Sequence, residues 1–331
     1  MKRPTLEAVA ARAGVSRATV SRVVNGQMTV TPQIRDAVMR AVDELGYVPN
    51  SAARSLVTQR TDSIALVVSE PPTRVFSEDP MFSTVIRSAS AELEAADKQV
   101  VLMLGGSAQS HARIERYIAS GHVDGVMLIS MHGADPLPSA VARMGVPVVS
   151  YGRPPVPVPL PYVDNDNVGG AEKAVRHLLD GGRRRIATIA GPQDMIGGQD
   201  RLKGYRDALR ESDRRSIVAV GDFTRESGAV AMRHLLQDDP DLDAVFVAND
   251  LMAIGALQTL RQAGRRVPDD VAVVGFDDIE AARYTEPPLT TIRQPVIEQA
   301  AAMVRLLLGL FKGGPADPVI LPTELVVRES A

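Results

Sequence analysis

At 331 residues the chain is long enough for two or three domains with real cores, taking roughly 100–200 residues as the usual domain size. It contains no cysteine, which excludes disulfide frameworks, thiolate metal sites and cysteine nucleophiles and fits a reducing, cytoplasmic location. The net charge of −3 is unevenly spread: residues 1–60 carry nine Lys/Arg against four Asp/Glu, +5, which leaves −8 on the remainder, and a basic head on an acidic body suits a chain of which one end meets a polyanion.

The first five residues lead into an amphipathic pattern without an apolar signal core, and no apolar run nears the roughly 20 residues of a membrane span, so no membrane partner is expected. Leu6, Val9, Ala10 and Ala13 recur at helical spacing, and Gly14 follows where a left-handed residue ends a helix. Ser16 then caps a second helix that has Val20, Val23 and Val24 on one face and Arg17, Ala18, Ser21, Arg22 and Asn25 on the other. Two short helices joined by a glycine-containing turn make a helix-turn-helix, whose second helix enters the major groove with its leading residues, here Arg17 and Ala18, at base edges. Thr31-Pro32, a cap and a first-turn proline, opens a third helix through Ile34, Val38, Ala41, Val42 and Leu45, and Gly46 ends it. The pattern alone fits equally well a small bundle with no nucleic-acid role; the residue identities tilt the balance.

Thr5-Leu6-x-x-Val9-Ala10-x-x-Ala13-Gly14-Val15-Ser16-x-x-Thr19-Val20-Ser21-Arg22-Val23-Val24-Asn25 closely resembles the DNA-binding head of the lactose/galactose repressor (LacI/GalR) family, and Leu45-Gly46-Tyr47-x-Pro49-Asn50-x-x-Ala53-Arg54-x-Leu56 resembles its hinge segment. The resemblance implies operator contacts from Thr5, Ser16, Arg17, Ala18, Thr19, Ser21, Arg22, Asn25, Tyr47, Asn50 and Ala53, with Leu56 as a minor-groove wedge. It divides the chain into a DNA-binding domain at 1–49, a hinge helix or linker at 50–60, and an effector and dimerisation domain at 61–331.

From Ser63 onward β-rich apolar runs alternate with amphipathic helical stretches, at 64–68, 100–104, 125–129, 148–151, 186–190, 217–220, 244–247 and 271–274. Near-continuous apolar strands between helices predict parallel sheets covered on both faces, a doubly wound α/β architecture, and their number predicts two lobes. Lobe one is expected at about 61–161 plus 294–321 and lobe two at about 162–290 plus 322–328. The proline-dense stretch 154–161 is read as the first passage between lobes, with crossings also near 290–295 and 324–328, and the doublets Gly105-Gly106 and Gly197-Gly198 as turns.

Ligands in such folds bind beyond the carboxyl ends of the strands. Residues there include Ser69, Tyr151, Arg153, Asp164, Phe223, Asn249, Asp250, Asp277 and Asp278, and short polar groups with an aromatic suit a neutral sugar. Ala190-Gly191-Pro192 with Arg201-Leu202-x-Gly204-Tyr205, Val247-Ala248-Asn249-Asp250 and Val274-Gly275-Phe276-Asp277-Asp278 also resemble the family's effector-domain motifs, and the resemblance implies a periplasmic-binding-protein-like body. Position by position it makes Arg201, Asn249 and Asp277 polar effector contacts and Phe223 a ring stacked on the ligand, while Asp250 is expected to cap the following helix. Ser69, Phe82, Tyr151, Arg153, Tyr162 and Asp164 follow from strand ends and approximate register. Gly152-Arg153 stands where several members of that family carry an acid, so the far end of the pocket is expected to differ chemically.

The expected mechanism is that of a homodimer on a palindromic operator, with a small molecule in the cleft changing operator affinity. Release of DNA by the ligand is the family's majority arrangement, and promotion of DNA binding is its minority one. The head, the hinge and the stretch Val67-Val68-Ser69-Glu70-Pro71 look most like regulators of cellulose- and β-glucoside-use genes, which makes cellobiose or a related β-glucoside the first-choice effector. A transport receptor of the same two-lobed architecture would lack residues 1–60 and would carry an export signal. An enzyme is not expected: Asp277 and Asp278 are adjacent rather than opposed across a bond, the five histidines have no metal-ligand spacing, and no Walker or nucleotide-binding glycine loop follows a strand. No cofactor is expected, and no leucine-heptad tail follows Arg328.

Overall fold

The computed structural model describes residues 4–24, 30–47, 60–133, 135–155 and 159–331. They form two compact units, divided between Asp62 and Ser63. The hinge residues Asn50, Ala53 and Leu56, and Asn25 at the end of the second helix, lie outside the described residues.

The small unit is three helices, α1 (Leu6–Ala13), α2 (Arg17–Val24) and α3 (Pro32–Leu45). Thr5 caps α1 by accepting from the Ala8 amide at 3.3 Å, Gly14 ends it at φ 67°, and the Ser16 hydroxyl accepts the Thr19 amide at 3.1 Å to open α2. Thr31 takes the cap conformation before α3 but makes no side-chain cap bond, so Pro32 alone carries the start signal there. Val9, Ala10, Val20, Val23, Val38, Ala41 and Tyr47 close a core of their own.

The large unit is two six-stranded sheets. The first runs β11 (Val319–Leu321), β5 (Tyr162–Asn165), β4 (Val148–Tyr151), β3 (Gly125–Ile129), β1 (Ser63–Val68), β2 (Gln99–Leu104), parallel throughout. The second runs β12 (Glu324–Val326), β10 (Thr290–Arg293), β9 (Ala272–Asp277), β8 (Ala244–Val247), β6 (Ile186–Ala190), β7 (Ile217–Val220), with only β12 antiparallel. Side-chain alternation supplies both faces: in β1, Ile64, Leu66 and Val68 pack toward α4 (Pro80–Ala95) and α11 (Val296–Leu310), whereas Ala65 and Val67 pack toward α5 (Ala108–Ala119) and α6 (Leu137–Arg143). The second sheet is sandwiched likewise, between α7 (Asn167–Asp180) with α8 (Ile196–Glu211) and α9 (Arg225–Asp238) with α10 (Asp250–Gln262). Among the described residues no helix is long and apolar enough to cross a membrane.

Three expectations change. Tyr162–Asn165 pairs with β4 and β11, so it belongs to the first sheet, and the proline-dense stretch links two neighbouring strands of one lobe rather than the two lobes. The three crossings are therefore Asp166–Asn167, Gln294–Pro295 and Pro322–Thr323, each at the end of a strand that pairs within its own sheet. The ninth strand runs on to Asp277, which is its last residue rather than a loop residue. Gly197 and Gly198 open α8 instead of forming a turn.

Helices α9 and α10 approach closely because Gly228 and Gly255 face each other's backbone: a Cβ on Gly255 would overlap the Arg225 carbonyl oxygen. Gly255→Ala should lower stability by about 1–3 kcal/mol despite alanine's better helix propensity, read as an earlier urea midpoint; an unchanged or later midpoint would mean the two helices can part without cost.

Candidate functional site

The carboxyl ends of the two sheets face one another across a small, partly open cavity, the place where ligands bind in folds of this architecture. Arg201, from the first turns of α8, crosses its floor and is 7 % exposed. Its Nε donates to Asn167 Oδ1 at 2.9 Å, and one terminal nitrogen donates to the Ala248 carbonyl at 2.6 Å and to Asp277 Oδ1 at 3.4 Å. The guanidinium lies 3.8 Å from the Phe276 ring centroid and 5.8 Å from that of Phe223, a cation held on aromatic faces. Burial pulls the Arg201 pKa down, against the opposing pull of Asp277, Asp164 and Asp250.

Asp277 stands at φ 121°, a conformation that L side chains rarely adopt and that aims its carboxylate into the cavity. Burial pushes its pKa up to about 7 despite the Arg201 charge, and Asp79 adds to the rise. Its Oδ1 also accepts from Gln294, whose own amide oxygen accepts from Asn165. Asp278 takes no part in the cavity, because Arg293 and Arg328 hold its carboxylate.

Eight of the ten sequence-predicted effector residues line this cavity: Arg201, Asn249, Asp277, Phe223, Phe82, Tyr151, Arg153 and Asp164. Ser69 and Tyr162 do not. The Ser69 hydroxyl donates to Asp135 at 2.7 Å, and Tyr162 opens onto a neighbouring groove beside Pro159 and Pro161. The capping role expected of Asp250 falls to Asn249, which also lines the cavity. Asn249 caps α10 by accepting the Met252 amide at 2.9 Å, while Asp250 is buried, accepting from Thr291 Oγ1 at 2.6 Å and the Ile279 amide at 2.9 Å. Arg153 lines the cavity, and its guanidinium binds Asp200 of the second lobe at 2.6 and 2.7 Å.

Sequence reading missed Arg74, Asp79, Asn165, Asn167, Gln294 and Gln299. Asp79-Pro80 carried a usable signal, a cap followed by a first-turn proline, and Asp79 indeed accepts the Met81 amide at 2.9 Å. Gln294 and Gln299 come from a crossing and the helix behind it, where no local pattern points to a pocket.

Among the described residues six buried side-chain polar atoms have no hydrogen-bond partner, and four of them line this one cavity: Arg74 Nε, Tyr151 Oη, Asn165 Oδ1 and Gln299 Oε1. Buried polar groups are almost always paired, so a cluster of orphaned donors and acceptors marks a place built for a partner with hydroxyl-like chemistry.

In the small unit Thr5, Ser16, Arg17, Ala18 and Arg22 are exposed, and Thr19 and Ser21 are half-exposed. Arg17 Nε rests 3.1 Å from Glu7 of α1. Tyr47 differs from the other described members of the predicted DNA-facing set: it is 8 % exposed and packs in the core of the head.

A helix-turn-helix head joined to a two-lobed α/β body with a polar interlobe cavity defines a ligand-controlled DNA-binding regulator. Residues 5–50 match the profile of bacterial regulatory proteins of the lacI family, and residues 175–331 that of the periplasmic binding protein-like domain. The chain is 52 % identical over 338 residues to the HTH-type transcriptional regulator CelR of Thermobifida fusca, covering 99 % of this chain and 98 % of that protein. Among solved structures it is similar to a transcriptional regulator CelR–cellobiose complex, with TM-score 0.79 and 48 % identity over 99 % of this chain and 100 % of that one. It is also similar to the lac repressor dimer bound to operator and the anti-inducer ONPF, with TM-score 0.87 and 28 % identity over 99 % of both chains. The chain belongs to the LacI family and is a DNA-binding transcriptional regulator.

A carboxyl raised from 3.8 to about 7 in the folded state binds more protons folded than unfolded between those values, so its contribution to stability falls as pH rises through that window. Asp277→Asn removes this loss. Measured by urea unfolding of the ligand-free protein, its stability relative to wild type should grow from pH 4 to pH 7 and then level off, while a difference that does not change with pH would mean Asp277 is ionised throughout.

Proposed function

We propose that this chain is a cytoplasmic, homodimeric, non-enzymatic repressor of carbohydrate-use genes, released from a palindromic operator when cellobiose or a related β-glucoside fills the interlobe cavity. The observation that carries the effector half is the four orphaned polar atoms, two on amide oxygens, one on a phenol and one on a guanidinium, gathered around the Arg201–Asp277 pair. A sugar's hydroxyls donate and accept at the same oxygen, so one polyol can satisfy all four, while Phe82 and Phe223 offer rings to the apolar face of the sugar. The similar solved structure, a CelR–cellobiose complex 48 % identical to this chain, favours a β-linked glucose disaccharide within that class.

A non-enzymatic role is supported by the disposition of the acids: of the adjacent pair, Asp278 is locked to Arg293 and Arg328, and only Asp277 faces the cavity. On the DNA side, Arg17, Ala18 and Arg22 are displayed by α2, with Ser16 and Thr19 at its start, and a dimer would present two such helices to two half-sites.

Thermal-shift screening of a mono- and oligosaccharide panel should raise the unfolding midpoint most with cellobiose, by an amount that follows ligand concentration over Kd. Gel-shift with the protein's own promoter region should then show release by the same sugar. A midpoint moved by a different sugar, with cellobiose, cellotriose and simple β-glucosides inert, would overturn the effector assignment.

Arg17→Ala should flatten discrimination at one operator base pair by about 1–3 kcal/mol, measured by competition among single-base operator variants. Sugar binding should be unchanged, and an unaltered preference at every position would remove Arg17 from base reading.

A further inference from the structure

Three polar bridges join the lobes around the mouth of the cavity. Arg74 reaches the Asp222 carbonyl at 3.0 Å, Arg153 reaches Asp200, and His132, in the loop after β3, places Nδ1 2.7 Å from Asp194 Oδ2 in the loop after β6. The neighbours in sequence, Met131 and Met195, both line the cavity, and a Cβ on Gly133 would lie 3.3 Å from the Asp194 carbonyl oxygen, so the two loops meet backbone to side chain at its rim. Guanidinium groups stay charged at any accessible pH, which leaves His132 as the one cation of the three bridges that can give up its proton.

Its surroundings show which form it takes. The second ring nitrogen, Nε2, faces Glu70 Oε1 at 3.4 Å, so both nitrogens confront carboxylates. A neutral imidazole has one N–H and leaves its other lone pair against an anion; only the imidazolium donates at both positions. Glu70 is itself fixed as an anion: although burial opposes it, the His132 and Ser130 hydrogen bonds and the Arg74 charge hold its carboxyl below the ordinary value. The remaining acid of this loop, Asp135, turns away to Ser69, His111 and the Leu137 amide.

We propose that His132 is a positioning residue for the effector response, an imidazolium clamp anchored on Glu70 of the first lobe that grips Asp194 of the second and holds the cleft shut over its ligand only while it keeps its proton. The Glu70 hydrogen bond, against partial burial and with Asp194 adding to it, raises the His132 pKa to about 9 in this closed arrangement. With the lobes apart His132 loses Asp194 and releases its proton more readily. Closure therefore takes up protons only between the open-state value and about pH 9, and the ligand is held more weakly as pH rises through that window. Asp277, which titrates near 7, is already ionised above that range and does not imitate the effect.

The inference that the clamp serves the ligand rests on the effector reading above, whereas the clamp itself can be tested without any sugar. Histidine-selective NMR titration of the full-length protein, with His132→Gln to assign the resonance, should place the ligand-free His132 above the ordinary histidine range and lower its midpoint in Asp194→Asn. A midpoint near 6.5 that ignores Asp194→Asn overturns the clamp. Calorimetry with cellobiose should then show affinity falling about ten-fold between pH 7.5 and 9.5 in wild type and less than two-fold in His132→Gln. Equal slopes in the two proteins would overturn its role in holding ligand. If His132 titrates above the ordinary histidine range and responds to Asp194→Asn but cellobiose does not bind at any pH, the clamp stands and the effector assignment falls.

Discussion

Burying the guanidinium of Arg201 is the constraint around which the body is arranged. A charge that deep is tolerated only if its donors are matched and its field is balanced, and each requirement is met by a different segment. The Asn167 side chain comes from the first crossing, the Ala248 carbonyl from the end of β8, the Asp277 carboxylate from the end of β9, and the Phe276 ring supplies a face at 3.8 Å. Since these groups converge only when α8 lies against the carboxyl end of the second sheet, satisfying the cation also fixes the cavity floor. The cost is visible on its partners, where Asp250 and Asp277 are buried close enough together that burial raises both and each opposes the other's ionisation.

The same groups tie the cavity to the crossings. Gln294 lies on the second crossing and bonds at one end to Asp277 and at the other to Asn165, the last residue of β5. Asp166 bonds through its amide to the Leu321 carbonyl, and Thr323 Oγ1 donates to the Asp166 carbonyl at 3.4 Å, so the first and third crossings are laced as well. A ligand that engages Asp277 or the unpaired Asn165 oxygen acts on these strands directly. No long pathway is needed between site and crossings, because Asn167 and Gln294 belong to both and Asn165 adjoins the first.

How much of this was legible in the sequence follows from the range of the interactions. Caps and helix ends act over three or four residues, and Gly14, Ser16 and Gly46 do what their positions imply. Apolar runs identified strands but not their sheets: β5 joins the first sheet through β4 and β11, and the nearer of these partners lies eleven residues before it while the other lies more than 150 after it. Side-chain aim was the least legible property. Asn249 takes the cap expected of Asp250 because the extended Asn249, at φ −154°, turns its side chain back over the α10 amides and leaves Asp250 to point inward at Thr291. Tyr162 misses the cavity that Asp164 reaches because one pleat repeat, roughly 6.6 Å, separates them along the strand.

The two lobes are bridged by contacts of unequal durability, and this shapes what the cleft can respond to. The crossings are covalent, and their laced hydrogen bonds are buried or half-buried, so they act as a pivot rather than a latch. At the mouth, the Arg153–Asp200 pair is partly exposed and screened, with 45 % and 18 % of the side chains accessible, and it adds little to closure on its own. His132 differs in being anchored on a buried acid, Glu70, with 6 % of its side chain accessible, so one end of the clamp is fixed while the other meets the half-exposed Asp194. A cleft pivoting on buried amides and closing on surface charges has its least costly opening at the mouth. That is where a ligand that needs to enter and be held would profit most from a contact that can let go.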